Sequence, residues 1–435
     1  MLSRTFILSP GYFRAMSTQI PRGVAAVLER KPDDVVITFA KRTAVGRAKK
    51  GQLKDIPVDE MLYHLFKETI SKSKIDPAKV DDICVATCHP PSPLYLSRAA
   101  ALAAGFPHTV PISTVNRLCS SGLMAIRNIA QGIKSGEITL GIAAGSESMS
   151  LNPRPTPEIS AVVAENQEAH DAVQPMGWTS EMVADIFKVP REKQDHYALI
   201  SHTRGIEAKA KGIFEEEIIP ITVRGATISV DDTIRPGVTA EGLATLKPAF
   251  PHWGPTTTAG NASGVGDGAA IVILTSRANA EKEGFEIIGK YVASTVVSVE
   301  PKIMGISPAV AVPKVLEMTG LSKEDIDVYE VPIQFSATTM YQNLTLAVLQ
   351  INEAFASQFA YCVEELGIPI EKINPNGGAI SISHPIGMTG TRQVVTGLAE
   401  LKRKDKKLLV TSMCVGSGMG AAGVFVNEAR HEAKL

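Results

Sequence analysis

The chain has 435 residues, more than one ordinary hydrophobic core holds, so two or more packed units are expected. Its formal net charge is −1, with 44% hydrophobic and 20% charged residues, which fits a globular enzyme and argues against a nucleic-acid or membrane-surface partner. No run approaches the ~18 apolar residues of a membrane span, and five scattered cysteines suit reduced thiols rather than a disulfide framework.

In chain order, Met1–Ser17 carries Arg4 and Arg14, and no acidic residue precedes Glu29. That is mitochondrial-presequence character, with a plain extension as the alternative. Val35–Phe39 reads as a short apolar strand, and Pro57–Ile70 has helical spacing through Met61, Leu62, Leu65 and Phe66. Asp82–Ala86 is a second strand. The turn Asn116–Gly122 leads into a helix, Ser121–Lys134, with Leu123, Ile126, Ile129, Ala130 and Ile133 along one side. Thr139–Ala144 reads as a fully buried strand. Such alternation implies parallel strands with helices on both faces.

From Asn152 to Gly260 the texture changes to Pro, Glu and short helical pieces such as Ser180–Phe187 and Arg191–Gly212. An inserted loop region over a site has that character. The earlier order then repeats: Ile326–Tyr329 as a strand, Ser383–Gly390 as a Gly-rich turn, Thr391–Lys402 as a helix and Leu408–Met413 as a strand. An internal duplication fits this pattern. The chain ends Ala433-Lys434-Leu435, a close variant of the peroxisomal import tripeptide.

Three positions can carry chemistry. Cys119 stands directly before a helix, where unpaired N–H groups and the dipole favour thiolate, although a buried apolar cysteine has the same local sequence. His384 follows the apolar stretch Ala379–Ile382, read as a strand end, and precedes glycine turns. Its near-neutral intrinsic pKa suits proton abstraction from a thiol, and a hydrogen-bonded turn histidine is the rival reading. Cys414 lies where a buried strand enters the loop Val415-Gly-Ser-Gly, whose N–H groups could hold an oxyanion. Asn352 offers an amide near a helix start. Cys84, Cys88 and His89 lie close enough to suggest a metal, but two cysteines on a buried strand are more often core.

Together these segments are specific. Asn116-Arg-Leu-Cys-Ser-Ser-Gly, Ala259-Gly-Asn-Ala-Ser-Gly, Asn352-Glu-Ala-Phe-Ala-Ser-Gln, Asn376-Gly-Gly-Ala-Ile with His384-Pro-Ile-Gly, and Cys414-Val-Gly-Ser-Gly-Met-Gly resemble the signature blocks of the thiolase family over residues 35–428. Ile303-Met-Gly-Ile, Pro175-Met-Gly-Trp-Thr-Ser-Glu and Ile234-Arg-Pro-Gly-Val-Thr are most similar to its peroxisomal 3-ketoacyl-CoA branch.

The resemblance implies an α/β fold of five layers, α-β-α-β-α, from two duplicated domains plus a loop domain. In this chain that places an N-terminal extension at 1–33, an N-terminal domain at 34–150 completed by about 265–285, a loop domain at 151–264 and a C-terminal domain at 286–435. The implied reaction is thiolysis of 3-ketoacyl-CoA by CoA, in β-oxidation. The alternatives are biosynthetic condensation by an acetoacetyl-CoA thiolase, or an inactive CoA- or lipid-binding relative.

By the resemblance, Cys119 is the nucleophile, His384 its base and Cys414 the group exchanging a proton with the acetyl-CoA α-carbon. One oxyanion hole uses His384 with a water held by Asn352, and the other the N–H groups of Cys119 and Gly416. Ser263 and Ala259 match a loop beside the CoA pantetheine, and Met176 and Phe355 an acyl-pocket wall. No metal or bound cofactor is implied; CoA is a substrate. A homodimer, an import receptor for Ala433-Lys434-Leu435 and a peroxisomal location are expected, with the mitochondrion as the alternative location.

The chain departs from the family at Ser383, where glycine is usual, at Leu118, where glutamine is usual, and at the loop beginning Cys88-His-Pro-Pro. A fourth departure is larger: Val331–Gln350 matches nothing in the family and separates Asn352 from Ile326–Tyr329. Its valine and glutamine borders can be encoded as the GT and AG of an intron, so a translated intron is expected, with a surface loop as the rival.

Overall fold

The computed structural model describes residues 20–326 and 347–429. The elements that position the site are, in order, β1 (Val35–Arg42), α1 (Val58–Ser73), β2 (Asp82–Ala86), α2 (Pro93–Ala104), β3 (Ile112–Val115), α3 (Ser121–Ser135) and β4 (Leu140–Ser148). Next come α4 (Met176–Ile186), α5 (Arg191–Ala210), β5 (Gly266–Ser276), β6 (Gly289–Ser298), α6 (Ser307–Thr319) and β7 (Ala347–Ile351). The chain closes with α7 (Ala356–Leu366), α8 (Ile386–Arg403), β8 (Leu408–Val415) and β9 (Met419–Asn427). The expected helices and strands of the first half recur with ends moved by a few residues. No described helix is long and apolar enough to cross a membrane.

The strand order is β7-β8-β9-β6-β1-β5-β4-β2-β3. Within it, β2 and β4 run parallel, β4 and β5 antiparallel, and β5 and β1 antiparallel. In the second half β7 and β8 run parallel, β8 and β9 antiparallel, and β9 and β6 antiparallel. The same sequence of senses appears twice, which is the duplication in structural form. The sheets are therefore mixed, not parallel throughout as the alternation had implied. The turn Gly416-Ser417-Gly418 joins β8 to β9 as a hairpin, and so short a connection permits only antiparallel neighbours.

The halves meet edge to edge over Val35–Ile37 of β1 and Gly289–Tyr291 of β6. Helices α1 and α2 cover the first half, α6 and α7 cover the second, and α3 and α8 lie between them, which gives the five layers. Burial follows position. Every residue of β4 and β8 is buried, and α8 is buried on nearly all sides, as a central helix must be.

One expectation changes at the entry to Asn352. Of the expected strand Ile326–Tyr329, only Ile326 lies within the described residues, and it ends the 3₁₀ turn Glu324–Ile326. The strand beside β8 is instead β7, whose Ala347–Gln350 had been assigned to the insertion 331–350. Val348, Leu349 and Ile351 are apolar and fully buried there, so the ladder accepts this segment on packing grounds. The rest of that insertion lies outside the described residues.

A tight constraint lies at the crossing of α3 and α8. A Cβ at Gly390 would lie 2.4 Å from the Leu123 nitrogen, and one at Gly122 would lie 2.4 Å from the Thr391 nitrogen. Backbone meets backbone with no side chain that could give way. Gly390→Ala should therefore separate the helices and lower stability by about 1–3 kcal/mol or more, the usual cost of overpacking. A thermal melt of the variant checks this, and an unchanged midpoint would refute it.

Candidate active site

Cys119 sits in the 3₁₀ turn Leu118–Ser120 at the head of α3. The turn is tied locally: Asn116 Oδ1 accepts from the Leu118 N–H at 2.9 Å and Ser121 Oγ from the Arg117 N–H at 2.8 Å. Leu118 pays for the shape with φ of +45°, a left-handed value unusual for a leucine. The thiol is 8% exposed and faces the backbone N–H groups of Cys119 and Gly416. Burial outweighs those donors and pushes its pKa up to about 11. At rest Cys119 is a thiol, so the helix terminus alone does not make a thiolate.

His384 does not follow a strand. Ala379–Ile382 forms a helical turn, because Gly377 and Gly378 turn the chain and the Ile382 N–H returns to the Gly378 carbonyl at 2.9 Å. His384 Nδ1 lies 2.6 Å from Thr389 Oγ1, whose own proton goes to the Pro385 carbonyl at 2.8 Å. Thr389 must then accept from Nδ1–H, which leaves Nε2 as the acceptor nitrogen. Asn352 Nδ2 lies 3.3 Å from that Nε2. Burial, with Arg392 and His89 nearby, lowers the imidazole pKa to about 3, so the ring is a neutral base.

Cys414 closes the cluster. It is fully buried at the end of β8, and its pKa is raised first by burial and then by the Cys119 sulfur, which places the two thiols in each other's field. Its thiol donates to Gln358 Oε1 at 2.8 Å, and Gln358 Nε2 donates to the Asn352 carbonyl at 3.0 Å. Asn352 itself is set by β7, its N–H donating to the Ser412 carbonyl at 2.9 Å. Its Oδ1 is buried without a partner among the described residues, which leaves it able to accept from a small donor.

The remaining expected residues surround this group. Met176, Phe355 and Ala262 pack with Met304 and Cys414 in one apolar cluster, and a Cβ at Gly416 would lie 3.7 Å from the Met176 sulfur. The Ser263 N–H donates to the Ala354 carbonyl at 2.9 Å, beside the bridge between Ala262 and Phe355. Ala259 is exposed, and its carbonyl accepts from Arg235 at 3.5 Å. No cluster among the described residues has the makeup of a metal site.

Sequence reading passed over several supporting groups. Gln358 stands inside a quoted motif block and Thr389 two residues beyond another, within the Gly-rich turn Ser383–Gly390, so their positions were available and only their contacts were not. Glu147, the penultimate residue of β4, accepts N–H bonds from Cys88 and His89 at 3.0 Å each and from Gly387 at 2.9 Å. Burial raises its pKa to about 7. Glu353 accepts from Ser201 Oγ at 2.5 Å, Asn374 Nδ2 at 2.7 Å and the Ile380 N–H at 3.2 Å. It thereby ties the Asn352 loop to α5 and to the turn before His384.

Comparison with known proteins gives the family. The pattern described as thiolase, N-terminal domain, matches residues 35–278. That described as thiolase, C-terminal domain, matches in two pieces, 285–348 and 341–427. The peroxisomal 3-ketoacyl-CoA thiolase B of Rattus norvegicus is 46% identical over 404 residues, covering 90% of each chain. The dimeric peroxisomal thiolase of Saccharomyces cerevisiae superposes with a TM-score of 0.85 at 41% identity, over 93% of this chain and 100% of that one. Human mitochondrial 3-ketoacyl-CoA thiolase in complex with CoA gives a TM-score of 0.78 at 34% identity, over 91% and 98% respectively.

Two outcomes are expected of the site. Ser383 has φ of +78° and ψ of 173°, a region essentially reserved for glycine, and its Oγ would lie 2.6 Å from a Cβ at Gly264. Such strain costs about 1–3 kcal/mol, against about 0.5–1 kcal/mol of extra chain entropy that a glycine would lose. Ser383→Gly should therefore raise the unfolding midpoint, and a lowered midpoint in denaturant would show that the serine is held by something else. The raised thiol and lowered imidazole also exclude a preformed ion pair. Alkylation of Cys119 by iodoacetamide in the free protein should rise nearly tenfold per pH unit, as thiolate does below its pKa, from about pH 7 to 10. A rate already at plateau below pH 7 would contradict this.

Proposed function

The chain belongs to the thiolase family, and from that premise we propose that it cleaves 3-ketoacyl-CoA with CoA, giving acetyl-CoA and a shortened acyl-CoA in peroxisomal β-oxidation. The observation that carries the reading is the buried run of contacts from the His384 imidazole through Asn352 and Gln358 to Cys414, whose sulfur lies in the field of Cys119 and its backbone N–H donors. The likeness to peroxisomal thiolases from animals, plants and yeasts supports the substrate class and the location.

In this reading the Cys119 proton passes to His384 Nε2 as sulfur attacks the 3-keto carbon. The N–H groups of Cys119 and Gly416 hold the resulting oxyanion. Breaking the carbon–carbon bond leaves Cys119 acylated and releases the enolate of acetyl-CoA, whose oxygen faces His384 and the Asn352 amide. Cys414 gives its proton to the enolate carbon and regains one from the protonated His384. His384 then takes the proton of the incoming CoA thiol, the CoA thiolate takes the acyl group, and Cys119 recovers that proton from His384, so the balance closes.

Ser263 and Ala259 would lie along the pantetheine, and Met176 and Phe355 against the acyl chain. That CoA is the second substrate is supported by the CoA complex of the human relative. A homodimer is supported by the dimeric yeast relative, by the sheet edge β3 and by Leu94, Tyr95 and Leu102 exposed on α2. The import-receptor partner rests on Ala433-Lys434-Leu435 alone, which lies outside the described residues.

Cys119→Ala should leave the fold intact and reduce thiolysis below about a hundredth of the wild-type rate, since no thioester can form. Rates on 3-ketoacyl-CoA of increasing chain length complete the test. Turnover confined to acetoacetyl-CoA would point to a condensing acetoacetyl-CoA thiolase, and substantial activity without Cys119 would remove the nucleophile.

A further inference from the structure

Gln358 lies in the first turns of α7, directly after the Asn352 loop, and is 1% exposed. The orientation of its amide follows from its neighbours. The Asn352 carbonyl can only accept, so Nε2 must face it, at 3.0 Å. That leaves Oε1 for the Cys414 thiol at 2.8 Å. The turn Pro301–Ile306 shuts against the same side chain, where a Cβ at Gly305 would lie 2.7 Å from Gln358 Cβ and 3.3 Å from Val183. The amide itself is held by its two hydrogen bonds, to Cys414 and to the Asn352 carbonyl. It touches neither Cys119 nor the His384–Thr389 pair through any hydrogen bond described above.

We propose that Gln358 is a positioning residue for the proton-exchange half of the reaction: its amide aims the Cys414 S–H and holds that sulfur in register with Asn352, whose side chain faces His384. The inference rests on the reading of Cys414 as the proton exchanger. The S–H that donates to Oε1 reaches the substrate carbon by rotation about the Cys414 Cβ–Sγ bond, with the sulfur staying in place. One buried amide thus couples the group that exchanges the proton to the group that faces the enolate oxygen.

Two half-reactions of the full chain separate this role from simple support of the fold. Acetyl exchange between acetyl-CoA and labelled CoA needs Cys119 and His384. Exchange of the acetyl-CoA methyl hydrogens in deuterium oxide needs Cys414 and Asn352 as well. Gln358→Met should slow hydrogen exchange at least about tenfold, within reach of the roughly 10²–10⁴-fold that a positioned acid–base group contributes. Acetyl exchange should stay close to the wild-type rate. If the methionine variant does not fold, Gln358→Ala is read by the same two assays. An equal fall in both half-reactions would reduce Gln358 to a structural residue, and unchanged hydrogen exchange would overturn the proposal outright. Cys414→Ser is the control. Hydrogen exchange that survives it removes the reading of Cys414, whereas loss in Cys414→Ser beside normal exchange in Gln358→Met removes only the inference about Gln358.

Discussion

The contact of backbone on backbone between Gly122 and Gly390 fixes the geometry on which the rest of the molecule depends. Helix α3 brings Cys119 at its head, and α8 brings His384 just before its own. Close packing at the crossing leaves neither helix free to slide. The N-terminus of α8 is held a second time by Glu147, whose carboxylate gathers the Gly387 N–H and those of Cys88 and His89. A carboxylate at a helix N-terminus meets unpaired donors and the positive end of the dipole, which offsets part of the cost of burying it. Glu353 does the same for the Asn352 loop. Two buried acids thus hold the segments bearing two of the proposed site groups, His384 and Asn352.

Dryness is the second consequence. Packing two sheets around α3 and α8 removes water from Cys119, His384 and Cys414 together. Desolvation disfavours every charged form, so the thiols keep their protons and the imidazole stays neutral. A thiolate–imidazolium pair would be costly here until a substrate carbonyl arrives to accept the charge. The donors already aimed at the sulfur, the N–H groups of Cys119 and Gly416, are strong in such a medium because no water competes with them. The same burial that silences the resting nucleophile makes the oxyanion donors effective.

How much of this was legible follows from the kind of signal each part carries. The helix at Ser121 and the strand at Asp82 declare themselves by local periodicity, and the motif blocks contain Cys119, Asn352, Gln358, His384 and Cys414. What could not be read was conformation and pairing. Ala379–Ile382 is as apolar as a strand and forms a helical turn because Gly377 and Gly378 close it from upstream. The antiparallel senses of β1, β5, β6 and β9 arise from long-range pairing that no local pattern encodes. Ser383 was noticed as a departure, but its strain becomes visible only with φ of +78°.

Delivery of Asn352 rests on β7, the strand that precedes it. There Val348, Leu349 and Ile351 are buried, each worth about 1.5–3 kcal/mol. The ladder from Ala347–Leu408 to Ile351–Ser412 then sets Asn352 one residue beyond its last rung, with its N–H on the Ser412 carbonyl. Placement of the amide therefore depends on the pairing of β7 with β8, a register that presents Asn352 Nδ2 to His384 Nε2.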